Sequence, residues 1–369
     1  MKKTLLALVV AATAAGSANA YNFHIDQTGT DVNFYGSLRL KWEHINSKTT
    51  DANGDSNREI AHGDIDDNGS RFGFGIKQNL GNDFYALGKI EWRFRDTDAR
   101  NLASNRHNNF GHIYTRQLFG GFGHKTFGEL TYGNMTTFTD EIKQTDLANI
   151  YSLSDGLLVG NARRAVQYVN RGLVPNLKFG AFYGATSKRG ATGLDLAVNR
   201  NHVWGAGAVY KFEIDSLQDV TTGLGFTRQT FANGVQETAY AFDNAYRFDN
   251  TTLGLDLEHK KISNVKGIEG LERSKYEARA VVHQKLSDAW NVYAMYAYRT
   301  NKLKNATYAT ATEKKSDVML GTEYYVYQNQ SLKVKPFVEG QVLRTRNLNN
   351  VAGDTQRDYK MVVGLRAYW

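Results

Sequence analysis

The stretch FYALGKIEWRF at residues 84–94 decides the fold class. Every second position from Phe84 is apolar or small, and this series ends on two aromatic rings. The positions between them carry a tyrosine, a leucine and three charged side chains. Strict alternation of this kind predicts a β-strand with one apolar and one polar face. A tilted strand needs about 9–11 residues to cross a bilayer, so this stretch is long enough to be a transmembrane strand.

The same alternation recurs along the chain, most clearly at 32–42, 253–258 and 360–369. Short polar connections such as 81–83 alternate with longer ones, which is typical of an outer-membrane barrel with short periplasmic turns and long external loops. The long loops are predicted at about 46–68, 96–108, 136–162, 188–199, 265–272, 304–312 and 347–354. We therefore predict an all-β, 16-stranded antiparallel transmembrane β-barrel. Its strands are expected at about 31–45, 69–80, 84–95, 109–124, 128–135, 163–171, 177–187, 200–213, 219–231, 237–248, 252–264, 273–287, 290–303, 313–327, 332–346 and 355–369.

Composition favours one large β domain over several soluble ones. The 369 residues include 35 glycines but only two prolines, which excludes Pro-rich linkers between domains. The absence of cysteine excludes disulfides, thiolate nucleophiles and Cys-ligated metals. A barrel of about sixteen strands is too wide for side chains to fill, so we expect it to enclose an aqueous channel.

Residues 1–20 are expected to be a signal peptide. A basic start at Lys2 and Lys3, an apolar stretch and the small residues ANA at 18–20 match the pattern of a secretory signal. Residues 21–369 are then expected to form the barrel domain. No later run approaches 18 consecutive apolar residues, so no membrane helix is predicted and the inner membrane is excluded as the final location.

The sequence shows no motif that indicates an enzyme or a cofactor. Glycine runs such as 120–123 lack the GxxxxGK[ST] pattern of a phosphate loop, and the nine histidines show no HExxH spacing. The EF-hand-like stretch 51–57 lacks its bidentate glutamate, because His62 stands at that position. No G-x-S-x-G elbow is present, although a barrel hydrolase need not use one. We predict no catalytic activity, no cofactor and no metal.

Positive charge lies on predicted strand faces rather than in one run. The chain has a formal net charge of +8, which falls by two when Lys2 and Lys3 are removed. A dispersed pattern argues against a nucleic-acid partner. If the apolar faces meet lipid, the basic side chains line the lumen and act on passing ions. The basic side chains on these polar strand faces are Arg39, Lys41, Arg71, Lys77, Lys89, Arg93 and Lys178.

Several stretches resemble the Gram-negative general porins, in particular the major porins of the Haemophilus–Pasteurella group. These stretches are FYGSLR at 34–39, GSRFGF at 69–74, NLGNDFYA at 79–86, TFGELTYG at 126–133 and VGLRAYW at 363–369. The resemblance covers nearly the whole chain after residue 20. The order of the stretches makes it specific, since each one alone is a modest signal.

The resemblance implies a homotrimer in the outer membrane of a Gram-negative bacterium, with a third external loop at about 136–162 folded into the lumen. It implies outer-membrane lipid, lipopolysaccharide and the barrel-assembly machinery as partners, with Tyr368 and Trp369 as the assembly signal. A basic wall is implied at Arg39 or Lys41, Arg71, Arg116, and Arg163 or Arg164. The implied acidic loop residues are Asp146 and, as further candidates, Asp140, Glu141 and Asp155. The loop departs from the family, because a PEFGG stretch is absent and ANI stands at 148–150.

We expect a porin through which ions and small hydrophilic solutes diffuse in a water-filled channel. Two alternatives stay open: a porin selective for one solute class, and a plugged structural or adhesive barrel. Basic side chains outnumber acids on the lumen faces near the third loop, so we expect a weak preference for anions. Leu255 is expected to face lipid and to reject an arginine, whereas Asp256 on the lumen side is expected to tolerate one.

Overall fold

The structure is a computed structural model that describes residues 21–95, 112–304 and 311–369. The predicted signal peptide at 1–20 lies outside the described residues. So do the predicted loop at 96–108 and most of the predicted loop at 304–312.

Sixteen long antiparallel strands form one closed barrel, which confirms the predicted fold class. Each strand pairs with the next in the chain, and the last pairs with the first. The strands are β1 (Thr30–Thr50), β2 (Arg71–Gly81), β3 (Phe84–Arg95), β4 (His112–His124), β5 (Gly128–Thr136), β6 (Asn161–Asn170), β7 (Leu177–Gly184), β8 (Asp195–Glu213), β9 (Gln218–Phe231), β10 (Gln236–Phe248), β11 (Thr251–Ser263), β12 (Glu272–Lys285), β13 (Trp290–Lys304), β14 (Glu313–Tyr324), β15 (Lys333–Arg346) and β16 (Thr355–Tyr368).

The barrel closes where the two ends of the described chain meet along β1. The second half of β1 pairs with β16, and Gly36 exchanges both of its backbone hydrogen bonds with Trp369. The short strand Tyr21–Ile25 pairs with the first residues of β1. It lies on the same side of β1 as β16, which pairs with the later residues. Because of this closure, each of the sixteen barrel strands has backbone partners on both sides.

The two ends of the barrel differ in their connections, as predicted. At one end, Asn82 and Asp83 form a two-residue hairpin turn with φ values of 50° and 63°, and a turn of this kind requires such left-handed conformations. At the opposite end, the predicted loop 46–68 is partly wrong, because β1 extends to Thr50 and pairs with the exposed strand Ser56–His62. The carboxylate of Asp51 stabilises the turn between them, since it accepts hydrogen bonds from two backbone amides of that turn. The predicted loop 188–199 is also shorter, because β8 begins at Asp195.

Side chains alternate between an apolar outer face and a polar inner face. On β11, Leu253, Leu255 and Leu257 are exposed to the outside, whereas Asp256 and Glu258 between them are buried inside. This facing agrees with the alternation in the sequence. No helix among the described residues is long and apolar enough to span a membrane. The remaining described elements are the short strands Asp66–Asp67, Ser187–Arg189 and Tyr327–Gln328 and the 3₁₀ turns Phe138–Glu141, Val265–Gly267 and Leu348–Asn350.

The segment between β5 and β6, residues 137–160, is named here the lumen loop. It begins with the 3₁₀ turn Phe138–Glu141 and then crosses the interior of the barrel. Its backbone amides donate hydrogen bonds to side chains of β9, β11, β12 and β15. The loop therefore lies inside the barrel, as predicted, and narrows the channel at its level.

Candidate functional site

One carboxylate on the inner wall is surrounded by three guanidinium groups. Glu91 of β3 is 3% exposed. Its Oε1 lies 3.9 Å from Arg71 Nη1, 3.2 Å from Arg93 Nε and 3.2 Å from Arg116 Nη1. Its Oε2 accepts hydrogen bonds from Tyr35 and Gln117 at 3.2 Å. These four charged residues, Glu91, Arg71, Arg93 and Arg116, form the Glu91 cluster, which carries an excess of positive charge.

A β-bulge in β4 places Arg116 in this cluster. Glu91 pairs with Gln117 and Trp92 pairs with Thr115, so Arg116 is an extra residue without a partner on β3. A bulge turns its extra side chain away from the strict alternation. Without it, Arg116 would follow the outward face, because the neighbouring Gln117 points inward. Local irregularity therefore adds one cation to the wall.

The two basic candidates on β1 behave differently. The Arg39 Nε donates a 3.0 Å hydrogen bond to Ser37, and its guanidinium lies 5.8 Å from the ring centre of Tyr368. Arg39 is also within electrostatic reach of Arg71. Lys41, in contrast, is paired with Glu43 at 2.8 Å. Of the two, Arg39 extends the positive charge of the Glu91 cluster, while the charge of Lys41 is compensated locally.

A second charged group, the Arg279 cluster, lies half-way round the barrel on β11 and β12. Arg279 is fully buried, its Nη1 lies 2.9 Å from Glu277, and its Nη2 contacts Asp256 and lies 3.6 Å from Glu258. Three carboxylates therefore share one guanidinium. The cluster carries the opposite excess charge to that of the Glu91 cluster.

Backbone amides of the lumen loop complete the Arg279 cluster. Asp256 accepts hydrogen bonds from the amides of Gln144 and Thr145 and, at 2.6 Å, from the Thr145 hydroxyl. Glu277 accepts from the amide of Asp155 at 2.9 Å, and Glu258 from that of Leu157 at 3.1 Å. Hydrogen bonds to an ionised acceptor are about twice as strong as neutral ones, so these carboxylates hold the loop in place.

A further carboxylate anchors the middle of the loop. Glu339 of β15 is fully buried and accepts hydrogen bonds from three successive amides, those of Asn149, Ile150 and Tyr151, at 2.6–3.0 Å. The hydroxyl of Tyr151 donates to Glu43 on β1 at 2.7 Å. The loop is therefore fastened to the wall at several points along its length.

The four acidic candidates of the loop divide into two pairs. Glu141 accepts hydrogen bonds from both terminal guanidinium nitrogens of Arg171, and Asp155 contacts Arg299 at 2.8 Å. Asp140 is half-buried near Lys143, and Asp146 is exposed. Of the four, only Asp140 and Asp146 therefore have no arginine partner among the described residues.

Burial raises the pKa of the Asp140 carboxyl above its ordinary value, and the negative charge of Asp146 raises it further. Lys143, Arg116 and Arg93 act in the opposite direction on this pKa. Asp140 is therefore within electrostatic reach of two arginines of the Glu91 cluster.

Of the two arginines after the loop, only Arg163 joins the basic side of the lumen. Arg163 donates hydrogen bonds to the carbonyls of Gly190 and Thr115, at 2.7 and 3.1 Å. Arg164 is exposed, has a left-handed φ of 52° and donates to the carbonyl of Thr186. The pairing of β5 with β6 is irregular at this point, and this irregularity separates the directions of the two neighbouring side chains.

Three buried carboxylates could coordinate a cation. Asp243, Asp256 and Glu258 each offer an oxygen, and these oxygens lie within 4.8 Å of one another. The guanidinium of Arg279, however, already contacts Asp256 and lies beside Glu258. Because it supplies positive charge where an ion would sit, the arrangement favours an ion-paired wall over a metal site.

The Arg279 cluster and Glu339 were not predicted as site residues. Their inward facing follows from strand alternation, but inward polar residues were expected to be solvated. Asp256 is 1% exposed and pairs with Arg279, which contradicts its expected place as a free lumen side chain, so we instead expect an arginine there to be destabilising. The one available signal was the concentration of acids at alternate positions of β11 and β12.

Comparisons with known proteins give one consistent result. A family model described as Gram-negative porin matches residues 7–335. The chain is 28% identical to the major outer membrane protein of Pasteurella multocida strain Pm70 over the full length of both. Its fold is similar to that of OmpT of Vibrio cholerae in a trimer form, with a TM-score of 0.62 and 18% identity, covering 92% of this chain and 99% of that one. It is also similar to an anion-selective porin from Comamonas acidovorans, with a TM-score of 0.63 and 15% identity, covering 92% of this chain and all of that one.

Proposed function

This chain belongs to the Gram-negative porin family and is a passive channel of the outer membrane, and from that premise we propose that its lumen weakly prefers anions. Ions and small hydrophilic solutes diffuse past the lumen loop. The proposal includes no catalytic step and no cofactor. The anions are attracted by the Glu91 cluster and Arg39, while Asp140 and Asp146 face them across the channel.

One observation carries this proposal: four buried acids of β11, β12 and β15 are already bound by the lumen loop. Asp256, Glu258, Glu277 and Glu339 are each at most 4% exposed and bind loop amides. On the open side, three guanidiniums share one carboxylate. The Nε of Arg71 has no hydrogen-bond partner among the described residues. The charge that a passing ion meets is therefore predominantly positive.

Fixed charges at a narrow point determine which ions enter it. A ring of basic side chains lowers the barrier for anions and raises it for cations. At physiological salt the Debye length is about 8 Å, so such charges are incompletely screened within a narrow channel. Asp140 and Asp146 reduce the preference, and this makes it weak. The Comamonas acidovorans porin of similar fold is described as anion-selective, which agrees with this assignment.

The zero-current potential under a KCl gradient tests the proposal. We expect the unmodified protein in planar bilayers to give the sign of a chloride preference. The double variant Arg71→Ser/Arg116→Ser is expected to shift the potential toward potassium. The control variant Arg58→Ser/Arg247→Ser also removes two arginines, but both lie outside the Glu91 cluster. We expect it to leave the zero-current potential almost unchanged. A potassium preference in the unmodified channel would reject the assignment, and absence of conductance would favour the plugged barrel.

We also propose that the barrel is a homotrimer surrounded by outer-membrane lipid and lipopolysaccharide. A trimer form of the Vibrio cholerae protein supports the oligomeric state, and the apolar outer face supports the lipid contact. Chemical cross-linking of the protein in native outer membranes is expected to give a limiting trimer band. A limiting band at the monomer position would contradict this.

Tyr368 and Trp369 are proposed as the signal for the barrel-assembly machinery. Trp369 also closes the barrel, since its amide and carbonyl bind Gly36 at 3.1 and 2.8 Å. Deletion of Trp369 is expected to lower the yield of folded trimer while export continues. Gly36→Ala, which meets the ring of Trp369, tests closure without removing the aromatic end. If the deletion reduced yield no more than Gly36→Ala does, the signal role would be rejected.

A further inference from the structure

A small pocket beside the lumen loop is lined by four arginines. It has a volume of about 200 Å³ and lies where β4, β6, β8 and β9 meet the segment around Gly190. Arg116, Arg163, Arg189 and Arg200 line it together with Asn161 and Gln229. No acidic side chain lines the pocket within the described ranges. We call this site the arginine pocket, and we propose that it binds a small oxyanion, the carboxylate or phosphate group of a compact organic acid.

Arg200 provides the strongest indication of a missing acceptor. Arg200 is only 6% exposed. Its Nη2 donates hydrogen bonds to the carbonyls of Arg163 and Ala185 at 2.8 and 3.0 Å. Its Nε is buried and has no hydrogen-bond partner among the described residues. Buried donors are almost always paired, so an unpaired one beside a pocket indicates a group that the pocket receives.

Two of the other guanidiniums are held in position by the protein itself. Arg163 is fixed by the carbonyls of Gly190 and Thr115, and Arg116 by Glu91. Positions fixed before binding reduce the entropy cost of capturing a ligand. Planar guanidiniums suit carboxylate and phosphate oxygens, with which they form paired charge-assisted hydrogen bonds.

Two of the four guanidiniums, those of Arg163 and Arg200, lack an acidic partner among the described residues. Arg189 pairs with Asp195 at 3.5 Å, but both side chains are largely exposed and Asp195 does not line the pocket. In the part of the chain that the structure describes, the hydrogen bonds of Arg163 and Arg200 go to backbone carbonyl oxygens, which carry no full charge. Guanidiniums gathered away from bulk water repel one another, so an anion among them relieves the repulsion.

The size and apolar lining of the pocket narrow the ligand class. Since a water molecule occupies about 30 Å³ in the liquid, the volume admits a metabolite-sized anion and not a large one. Met135, Leu196 and Phe231 supply an apolar side for a short carbon chain. Arg116 also belongs to the Glu91 cluster, so a bound anion lies beside the path of chloride and lowers the chloride current.

This inference deepens the proposed anion preference and uses the conducting channel for its readout. Chloride current is measured in planar bilayers at constant ionic strength while inorganic phosphate, or in a second series succinate, replaces part of the chloride. We expect a saturable decrease in current in at least one series. A decrease with phosphate alone assigns a phosphate group, and a decrease with succinate alone assigns a carboxylate.

Two variants separate the pocket from the Glu91 cluster. Asn161→Asp adds a negative charge to the lining with almost no change in shape, and we expect the half-blocking concentration to rise roughly tenfold, about the loss of one charge-assisted hydrogen bond. Arg189→Gln changes an exposed side chain and is expected to raise the half-blocking concentration severalfold. It replaces Asn161→Asp in the test if that variant does not fold. Asn53→Asp, which adds the same charge on the exposed turn after β1, is the control and leaves the block unchanged.

The outcomes distinguish failure of the pocket from failure of the channel assignment. A chloride preference under a KCl gradient without saturable block by either anion overturns the pocket alone. Block that is equal in Asn161→Asp, Arg189→Gln and Asn53→Asp also overturns it, because the anions then act elsewhere. Saturable block in a channel that prefers potassium supports the pocket and rejects the proposed overall preference.

Discussion

The Glu91 cluster and the Arg279 cluster are built on the same plan with the signs reversed. Each has one buried counter-charge among three groups of opposite sign, and the two lie on opposite sides of the barrel. Among the described residues, the lumen loop donates hydrogen bonds to the acids of the Arg279 cluster and none to Glu91. The comparison teaches that the groups completing a cluster decide whether its charge serves structure or acts on ions.

The difference follows from what a loop backbone offers. A loop that lies along a wall can turn successive N–H groups toward it, as residues 149–151 do toward Glu339. Carboxylates accept such bonds, whereas guanidiniums only donate and cannot use them. The acidic wall therefore receives the loop. The basic wall keeps hydrogen-bonding capacity for water and ions.

The largest expected effect comes from removing each counter-charge by the same type of substitution. Arg279→Gln leaves three buried carboxylates without their cation and is expected to lower the free energy of unfolding by about 3–5 kcal/mol. Glu91→Gln is expected to cost less, because the arginines around it are partly exposed and can bind chloride. Urea unfolding in lipid vesicles at low and high chloride measures both.

Chloride supplies the internal control for this pair. We expect high chloride to restore part of the stability lost in Glu91→Gln and none of that lost in Arg279→Gln. Equal losses with equal salt dependence would mean that the two clusters do not differ in access to the lumen.

The next largest effect compares a substitution on the outer face of β11 with one on its inner face. Leu255→Arg places a charge on the outer face and is expected to cost about 2–4 kcal/mol near the bilayer midplane. Asp256→Arg is expected to be at least as harmful, because the residue is buried beneath the lumen loop and holds Thr145. The control is Lys178→Glu, at an exposed position near the start of β7. Its free energy of unfolding is expected to lie within about 0.5 kcal/mol of that of the unmodified protein. A stable Asp256→Arg protein would show that the loop does not depend on this anchor.

The smallest expected effect is a pH dependence at the open side. The pKa of Asp140 is raised from 3.8, so this carboxyl loses its negative charge at a higher pH than an ordinary aspartate. As pH falls through the raised pKa, the preference for chloride should increase. The same protonation stabilises the folded state, because the folded-state pKa exceeds the unfolded one.

Asp140→Asn is the matched variant for this titration. It should show the stronger chloride preference already at neutral pH and a smaller change in zero-current potential on acidification. If the unmodified protein and the variant changed in parallel, Asp140 would not be the group that titrates at the lumen.

Local sequence patterns account for most of the barrel and for part of the site. Alternation placed the strands and their two faces, because neighbouring side chains of a strand necessarily point to opposite sides. It also put Arg71, Lys89 and Arg93 on the inner wall. Arg116 was identified through the family resemblance, and only the bulge in β4 explains how it reaches Glu91.

The sequence by itself determined the closed barrel, its facing and the basic inner wall, since these depend on residues close together in the chain. Tertiary structure alone decided that Arg163 and not Arg164 joins the arginine pocket, that Glu141 and Asp155 are occupied by Arg171 and Arg299, and that Asp256 is buried. Thr145 meets Asp256 across 111 positions of sequence, and Asn149 meets Glu339 across 190. Such contacts depend on how the whole barrel closes around the lumen loop, and no periodicity within a strand records where a distant loop comes to lie.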